Sequence, residues 1–271
     1  MKDVYKKYVN ESALPQIFCP GCGTGTIFNA FIRAVDEMGL TDKDICLYSG
    51  AGCYGWGPVY LNFDCCKYIH GRCIAAAEAT ALVCPDKKVV VFTGDGDNYA
   101  IGANHYIHGA RRNADITVII VNNFIYGMTG GQKAPTTPYA VKTKTSPFGN
   151  DERPFDDVEL ARAVGVTYYA RWTPAHPRQL QKAIMDAMNH KGFSVVEVIS
   201  QCPTTAGRNI FGMNNGYEVL DYIKEHSYIL KKGDEPDKND PRYALGLIFE
   251  YDRPTHHEEI ERIRRRVNNE G

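Results

Sequence analysis

Short runs of β-branched residues alternate along the chain with stretches whose apolar positions recur every three or four residues. The strand-like runs fall at 45–49, 88–93, 116–121, 167–172 and 194–199. Two of them, VVVF and ITVIIV, are continuously apolar, the pattern of parallel strands covered on both faces. Between them lie helical patterns. In 24–38, Ile27, Phe31, Ala34, Val35 and Met38 share one face, and Gly39 supplies the stop. Further helices are expected over 72–83, ended by Pro85, over 98–111, near 155–164, and over 177–190, ended by Gly192. Alternation of this kind predicts an α/β fold: a mostly parallel sheet flanked by helices.

Two regions break the rhythm. Residues 129–154 are rich in Thr, Pro, Gly and Lys and have no period, and a loop of that length inside a domain is usually functional. It is expected to form a wall or lid over a substrate or against a partner. Past 207 the pattern changes again. A solvated stretch at 231–242 precedes a last amphipathic helix over 258–267, using Ile260, Ile263 and Val267. The expected organisation is an α/β domain over 1–210 and a C-terminal extension, 211–271, packing on the core or on a partner subunit.

The polar residues that follow the strands carry the candidate chemistry. The run at 88–93 leads into Gly94-Asp95-Gly96-Asp97, and the run at 116–121 leads into Asn122-Asn123. In an open parallel sheet, ligands sit beyond the carboxyl ends of the strands, so both clusters emerge on one edge. Glycines let the backbone approach a phosphate, and the following helix presents N–H groups. Asp95 and Asn123 supply hard oxygens suited to Mg²⁺ on a diphosphate. Asp97 reads either as a carboxylate supporting that site or as a helix N-cap.

Four cysteines point to the same edge. Cys19 and Cys22 form a CPGC turn before the first long helix, Cys53 follows the strand at 45–49, and Cys202 follows the strand at 194–199. Four thiolates suit a [4Fe–4S] cluster or Zn²⁺. One close pair plus two distant single cysteines favours a cluster assembled by the tertiary fold, with zinc left open. Cys46, Cys65, Cys66, Cys73 and Cys84 read as packing residues.

Composition narrows the function classes. Lys+Arg 31 against Asp+Glu 32 leaves a net charge of −1 over 271 residues, which supplies no basic surface for nucleic acid. The longest aliphatic stretch, 118–121, is far too short to span a membrane. The N-terminal MKDVYKKYVNESALP has no signal-peptide core, and nine cysteines is an odd number, so a cytoplasmic protein with free thiols is expected.

GDG followed after a spacer by NN resembles the thiamine diphosphate motif. That resemblance implies Mg²⁺ held by Asp95, the Asn123 side chain and the Ile125 carbonyl. More widely, FCPGCGTG, SGAGC, HGR, GDGDNYAIGANHYIHGARRN, VNNFIYGMTGGQKAPTTP and VEVISQCP stand in an order similar to the β subunits of 2-oxoacid:ferredoxin oxidoreductases, over about residues 10–210. The resemblance implies a thiamine diphosphate-binding fold and a [4Fe–4S] cluster on Cys19, Cys22, Cys53 and Cys202. It implies cofactor contacts from Gly52, Cys53, His70, Gly71, Asp95, Gly96, Asn123, Gly127, Met128 and Thr129. It also implies oxidative decarboxylation of a 2-oxoacid with coenzyme A, giving acyl-CoA and CO₂ and reducing ferredoxin.

The activating glutamate is then expected from an α subunit, with γ/δ or ferredoxin-type subunits as further partners. ARW…HPRQL and TKTSPFGN look most like 2-oxoglutarate-type members. Pyruvate, a branched-chain or an aryl 2-oxoacid, and a cluster-free thiamine-dependent lyase subunit are the alternatives. One departure stands out: Trp56 occupies a position where some relatives carry a basic residue that helps hold the distal carboxylate of the substrate.

Overall fold

A computed structural model describes residues 2–231 and 233–269 of the chain. Its strands are β1 (Ile45–Ser49), β2 (Asp64–Lys67), β3 (Lys88–Gly94), β4 (Ile116–Asn122), β5 (Ile125–Tyr126), β6 (Gln132–Lys133), β7 (Tyr168–Trp172), β8 (Phe193–Ile199), β9 (Ser227–Ile229) and β10 (Tyr243–Glu250). The helices are α1 (Lys2–Tyr8), α2 (Thr24–Glu37), α3 (Gly57–Tyr60), α4 (Cys73–Val83), α5 (Ala103–Arg112), α6 (Asp157–Val164), α7 (Pro177–Asn189), α8 (Gly216–Glu225) and α9 (His256–Asn269). Eight strands form one sheet in the order β2-β1-β3-β4-β8-β7-β10-β9, and β5 and β6 make a separate ribbon. Within the large sheet every pairing is parallel except β10 against β7.

All seven residues of β4 and of β8 are buried, because helices cover both faces of the sheet. On one face Ile27, Phe31 and Val35 of α2 and Leu180, Ile184 and Ala187 of α7 pack on Leu47, Val90 and Val196. On the other, Ile74 and Ala77 of α4, Tyr106 of α5 and Ala161 of α6 pack on Val91, Val118 and Val195. Fully burying one such aliphatic side chain contributes about 1.5–3 kcal/mol, so the continuous strands commit the chain to a covered sheet.

The order of strands positions the site. From β1 the chain crosses to β2 on one side, then returns to lay β3 on the other side of β1. The segments leaving β1 and β3 therefore part, and a crevice opens between them at the carboxyl edge.

Three features depart from the sequence pattern. Strand β2 is a mostly exposed edge with the sequence DCCK, which carries no apolar run. Strand β10 contains Gly246 and a register shift between Leu247 and Phe249, which blur its period. With β9 it joins the sheet, so the strands past residue 211 extend the same sheet that the earlier strands begin. The helix expected over 98–111 is broken into a wide π-type turn, Asp97–Ile101, and α5. The cause is a backbone crossing: a β-carbon on Gly102 would lie 2.3 Å from the Asp97 carbonyl oxygen and 3.1 Å from Gly71 Cα.

Asn113 fastens the opposite edge. It ends α5 in the left-handed region (φ 54°). Its Oδ1 accepts from the Phe193 N–H (2.8 Å) and the Thr167 hydroxyl (3.0 Å), and its amide donates to the Arg253 carbonyl (2.8 Å). Asn113→Ala should cost about 2–4 kcal/mol, from lost buried bonds and a strained φ. Urea unfolding measures it, and a change under 0.5 kcal/mol would contradict this role.

Candidate functional site

The crevice between β1 and β3 is a cleft of about 210 Å³. Its walls are residues 51–54, 94–97 and 125–129, with Thr24, His70, Val121 and Asn123. Gly52, Cys53, His70, Asp95, Gly96, Asn123, Ile125, Gly127, Met128 and Thr129, all singled out in the sequence, line it together. Gly71 does not line it: its N–H turns away and donates to Asp97 (2.7 Å). Gly52 must be glycine, since its φ is 145° and a β-carbon would meet the Tyr54 ring at 2.7 Å. Tyr54 folds back beneath the loop, and its hydroxyl donates to the Ala51 carbonyl (2.5 Å).

One wall carries hard oxygens. Asp95 is buried, and burial pushes its carboxyl up to about 7 although the Thr136 hydroxyl (2.5 Å) and the Gly96 N–H pull the other way. A carboxylate taken out of water and facing a cleft is a group that a cation would stabilise in its charged form. Asn123 stands at the end of β4, and its Oδ1 accepts from the Ile125 N–H (3.4 Å) in a tight turn. Asp95, Asn123 and Ile125 thus present a carboxylate, a carboxamide and a backbone segment to one cleft. That donor set fits a divalent cation on a diphosphate.

Asp97 is not a helix N-cap. Its two oxygens bind the surroundings: Oδ1 takes the His70 Nδ1, the Gly71 N–H (2.7 Å) and the Ala51 N–H (3.4 Å), and Oδ2 takes the Thr93 hydroxyl (2.9 Å). Gly50 packs so closely that a β-carbon there would lie 1.9 Å from Oδ2. The bond at Nδ1 fixes the His70 ring and leaves Nε2 for the cleft.

Beneath the Asn122-Asn123 turn lies a second buried network. The Asn122 amide donates to Glu197 (2.8 Å) and Asp157 (3.1 Å), while Glu197 also accepts from Tyr169 (2.6 Å) and Arg171 (2.6 Å). Burial pushes the Glu197 carboxyl toward its protonated form, but the Arg171 guanidinium outweighs burial and holds it below the usual range. Burial and then the Glu197 charge drive the Asp157 carboxyl well above the usual range. Asn122 Oδ1 in turn accepts from the Phe124 N–H (3.2 Å), which locks the turn that presents Asn123.

The four candidate thiols gather beside the cleft. The CPGC turn closes with the Cys22 N–H on the Cys19 carbonyl (2.9 Å), and the Gly23 N–H holds it to the Gln201 carbonyl (3.2 Å). Cys19 Sγ and Cys202 Sγ reach the same Thr204 hydroxyl, at 3.6 and 3.9 Å. Cys53 is pushed up to about 12 by burial and then by the charges of Cys22, Cys202 and Cys19. Cys53 lines the cleft, and Cys202 Sγ lies 3.4 Å from where a Gly127 β-carbon would stand. Among the described residues no three His, Cys, Asp or Glu side chains close on a single-ion position. Four thiols from three segments have the donor chemistry of an iron–sulfur centre or of zinc.

Sequence reasoning missed Thr24, Tyr54, Thr136, Tyr126 and the Glu197 network. Only Glu197 carried a signal, as a charge inside an otherwise mostly apolar strand. Glu197→Ala should cost about 3–5 kcal/mol, because Arg171 is left buried without its carboxylate. Chemical denaturation at pH 7 measures it; a loss under 1 kcal/mol would show that the network does not hold the turn.

Residues 50–198 match the family profile described as thiamine pyrophosphate enzyme, C-terminal TPP binding domain. The chain is 44% identical over 267 residues to 2-oxoglutarate synthase subunit KorB of Methanocaldococcus jannaschii, covering 97% of this chain and 98% of that protein. It is 37% identical over 235 residues to the 2-oxoacid:ferredoxin oxidoreductase 2 subunit beta of Aeropyrum pernix, covering 85% of this chain and 75% of that one. A solved structure of 2-oxoglutarate:ferredoxin oxidoreductase from Magnetococcus marinus, with 2-oxoglutarate, coenzyme A and succinyl-CoA bound, superposes with a TM-score of 0.89 at 31% identity. That match covers 97% of this chain and 90% of the other. With the thiamine pyrophosphate profile covering residues 50–198 and a relative 44% identical matched over 97% of this chain, the chain belongs to the β subunits of the thiamine diphosphate-dependent 2-oxoacid:ferredoxin oxidoreductases.

Proposed function

We propose that this β subunit serves the coenzyme A-dependent oxidation of 2-oxoglutarate to succinyl-CoA and CO₂, with two electrons leaving singly to ferredoxin. The observation that carries the reading is the shared wall of the cleft. Cys53 belongs both to the lining of the cofactor crevice and to the four-thiol group. The names of the relatives support 2-oxoglutarate as the substrate.

In this reading Asp95, Asn123 and the Ile125 carbonyl hold Mg²⁺ on the diphosphate of the cofactor, and Cys19, Cys22, Cys53 and Cys202 hold a [4Fe–4S] cluster. Bound thiamine diphosphate supplies the nucleophilic carbon and electron sink that decarboxylation requires, and the cluster supplies a one-electron acceptor. The protein's own contribution is placement. Gly52, Gly96 and Gly127 bring backbone close, His70 Nε2 is oriented by Asp97, and the apolar flank of Met128 and Val121 limits water. No glutamate lines the cleft among the described residues. Glu78, on α4, is tied instead to Arg112 (2.6 Å). The activating carboxylate therefore comes from an α subunit across the mouth, with a γ/δ or ferredoxin-type subunit and ferredoxin as further partners. Among the described residues no helix is long and apolar enough to cross a membrane. The nine free cysteines fit the reducing cytoplasm.

The test is reconstitution with the α subunit under anaerobic conditions. Ferredoxin reduction should require both coenzyme A and 2-oxoglutarate, and pyruvate should be a poorer substrate. Asp95→Ala should weaken Mg²⁺-dependent thiamine diphosphate binding by about 2–3 kcal/mol, the scale of a lost charge-assisted contact. Calorimetric titration reads this, and an unchanged affinity would overturn the cation assignment.

A further inference from the structure

The cleft has no permanent positive charge of its own. Among the described residues lining it there is no lysine and no arginine, while the Asp95 carboxylate faces it. A dicarboxylic 2-oxoacid brings a second carboxylate, and recognition of that group needs a cation at the rim. Trp56 cannot serve: its indole lies under the Lys67 ammonium, 4.5 Å from the ring centroid.

The geometry points to Lys144 as the residue that reads the distal carboxylate. This rests on the proposed use of 2-oxoglutarate. The Lys144 ammonium lies against Gly130, next in the chain to the lining residues Met128 and Thr129; a β-carbon on Gly130 would stand 2.5 Å from Nζ. Gly130 has φ 103° and no side chain, so the loop leaves that space to the lysine. The backbone of Lys144 is held, because its N–H donates to the Gly131 carbonyl (2.9 Å). The Lys133 N–H donates to the next residue's hydroxyl, Thr145 Oγ1 (3.0 Å). Lys133, in the same loop, is neutralised by Glu152 (2.7 Å) and Asp151 (3.6 Å). Lys144 has no carboxylate within 4 Å among the described residues, and its charge is free for a ligand. Lys67 is exposed, but its ammonium is engaged over the Trp56 indole; its Cε lies 3.8 Å from where a Gly55 β-carbon would stand, beside the 51–54 wall, which makes it the competing cation. The long loop 129–154 would then carry selectivity, and Lys144 would be its specificity residue.

The experiment compares Lys144→Met, Lys144→Arg and Lys67→Met in the reconstituted holoenzyme. The substrates are 2-oxoglutarate and 2-oxobutyrate, which lacks the distal carboxylate. Lys144→Met should lower kcat/KM for 2-oxoglutarate at least tenfold through KM and leave 2-oxobutyrate within twofold. Lys144→Arg should restore most of the difference, and Lys67→Met should leave the ratio unchanged. Equal losses on both substrates, no change, or a change carried by Lys67→Met would overturn the assignment. So would a raised KM for coenzyme A with 2-oxoglutarate unaffected, which would give the lysine to the phosphates of that cosubstrate. A wild-type enzyme with no preference for 2-oxoglutarate would overturn the substrate reading itself, and this assignment with it. A clear preference that survives Lys144→Met would overturn this assignment alone.

Discussion

A carboxylate taken out of water has to find donors, and Asp97 finds them on both sides of the split between β1 and β3. One oxygen gathers the Ala51 N–H, which follows β1, with the Gly71 N–H and His70 Nδ1, which follow β2. The other takes the Thr93 hydroxyl at the end of β3. Three segments that the topology sends apart are thereby held around one buried charge. Leaving any of those donors unpaired would cost about 1–3 kcal/mol, so the loops are not free to close over the crevice. The cleft exists because the strands diverge, and it keeps its shape because Asp97 ties their ends.

A second buried charge does the same for the far wall. Glu197, held ionised by Arg171, anchors Asn122, and Asn122 fixes the turn that presents Asn123 and Ile125. Each wall thus consists of a ligand-facing residue backed by a neighbour in the chain whose side chain points into the protein: Asp95 with Asp97, Asn123 with Asn122. Asn122 and Asn123 are adjacent at a strand end and diverge, whereas Asp95 and Asp97 are separated by Gly96 at the turn after β3. Thr136, from the long loop, closes the arrangement by donating to Asp95, which makes that loop part of the site.

Much of this was legible in the chain. Strands with long apolar runs, such as β3 and β4, announce a sheet covered on both faces, and the polar residues after them mark the ligand edge. Elements without a run were not legible. β2 is an exposed edge of charged residues and cysteines, and β10 is interrupted by Gly246 and a register shift. The π-type turn after Asp97 was hidden as well, because it results from Gly71 and Gly102 crossing, a long-range contact that no local period encodes. Gly71 carried a motif signal and still serves the scaffold rather than the cleft. Thr136 and Tyr54 carried none, since a hydroxyl in a loop or a tyrosine after a cysteine looks the same wherever it points.

We propose that one sheet edge sets a thiamine cleft against an iron–sulfur centre through Cys53. The most direct measurement is low-temperature EPR of the anaerobically purified complex, mixed with 2-oxoglutarate and coenzyme A in the absence of ferredoxin, alongside iron and labile sulfide analysis. The account predicts a reduced [4Fe–4S] signal that depends on both substrates and is lost in Cys53→Ser. A complex that turns over substrate while holding zinc and no iron, or whose Cys53→Ser variant keeps its full iron content and signal, would contradict it.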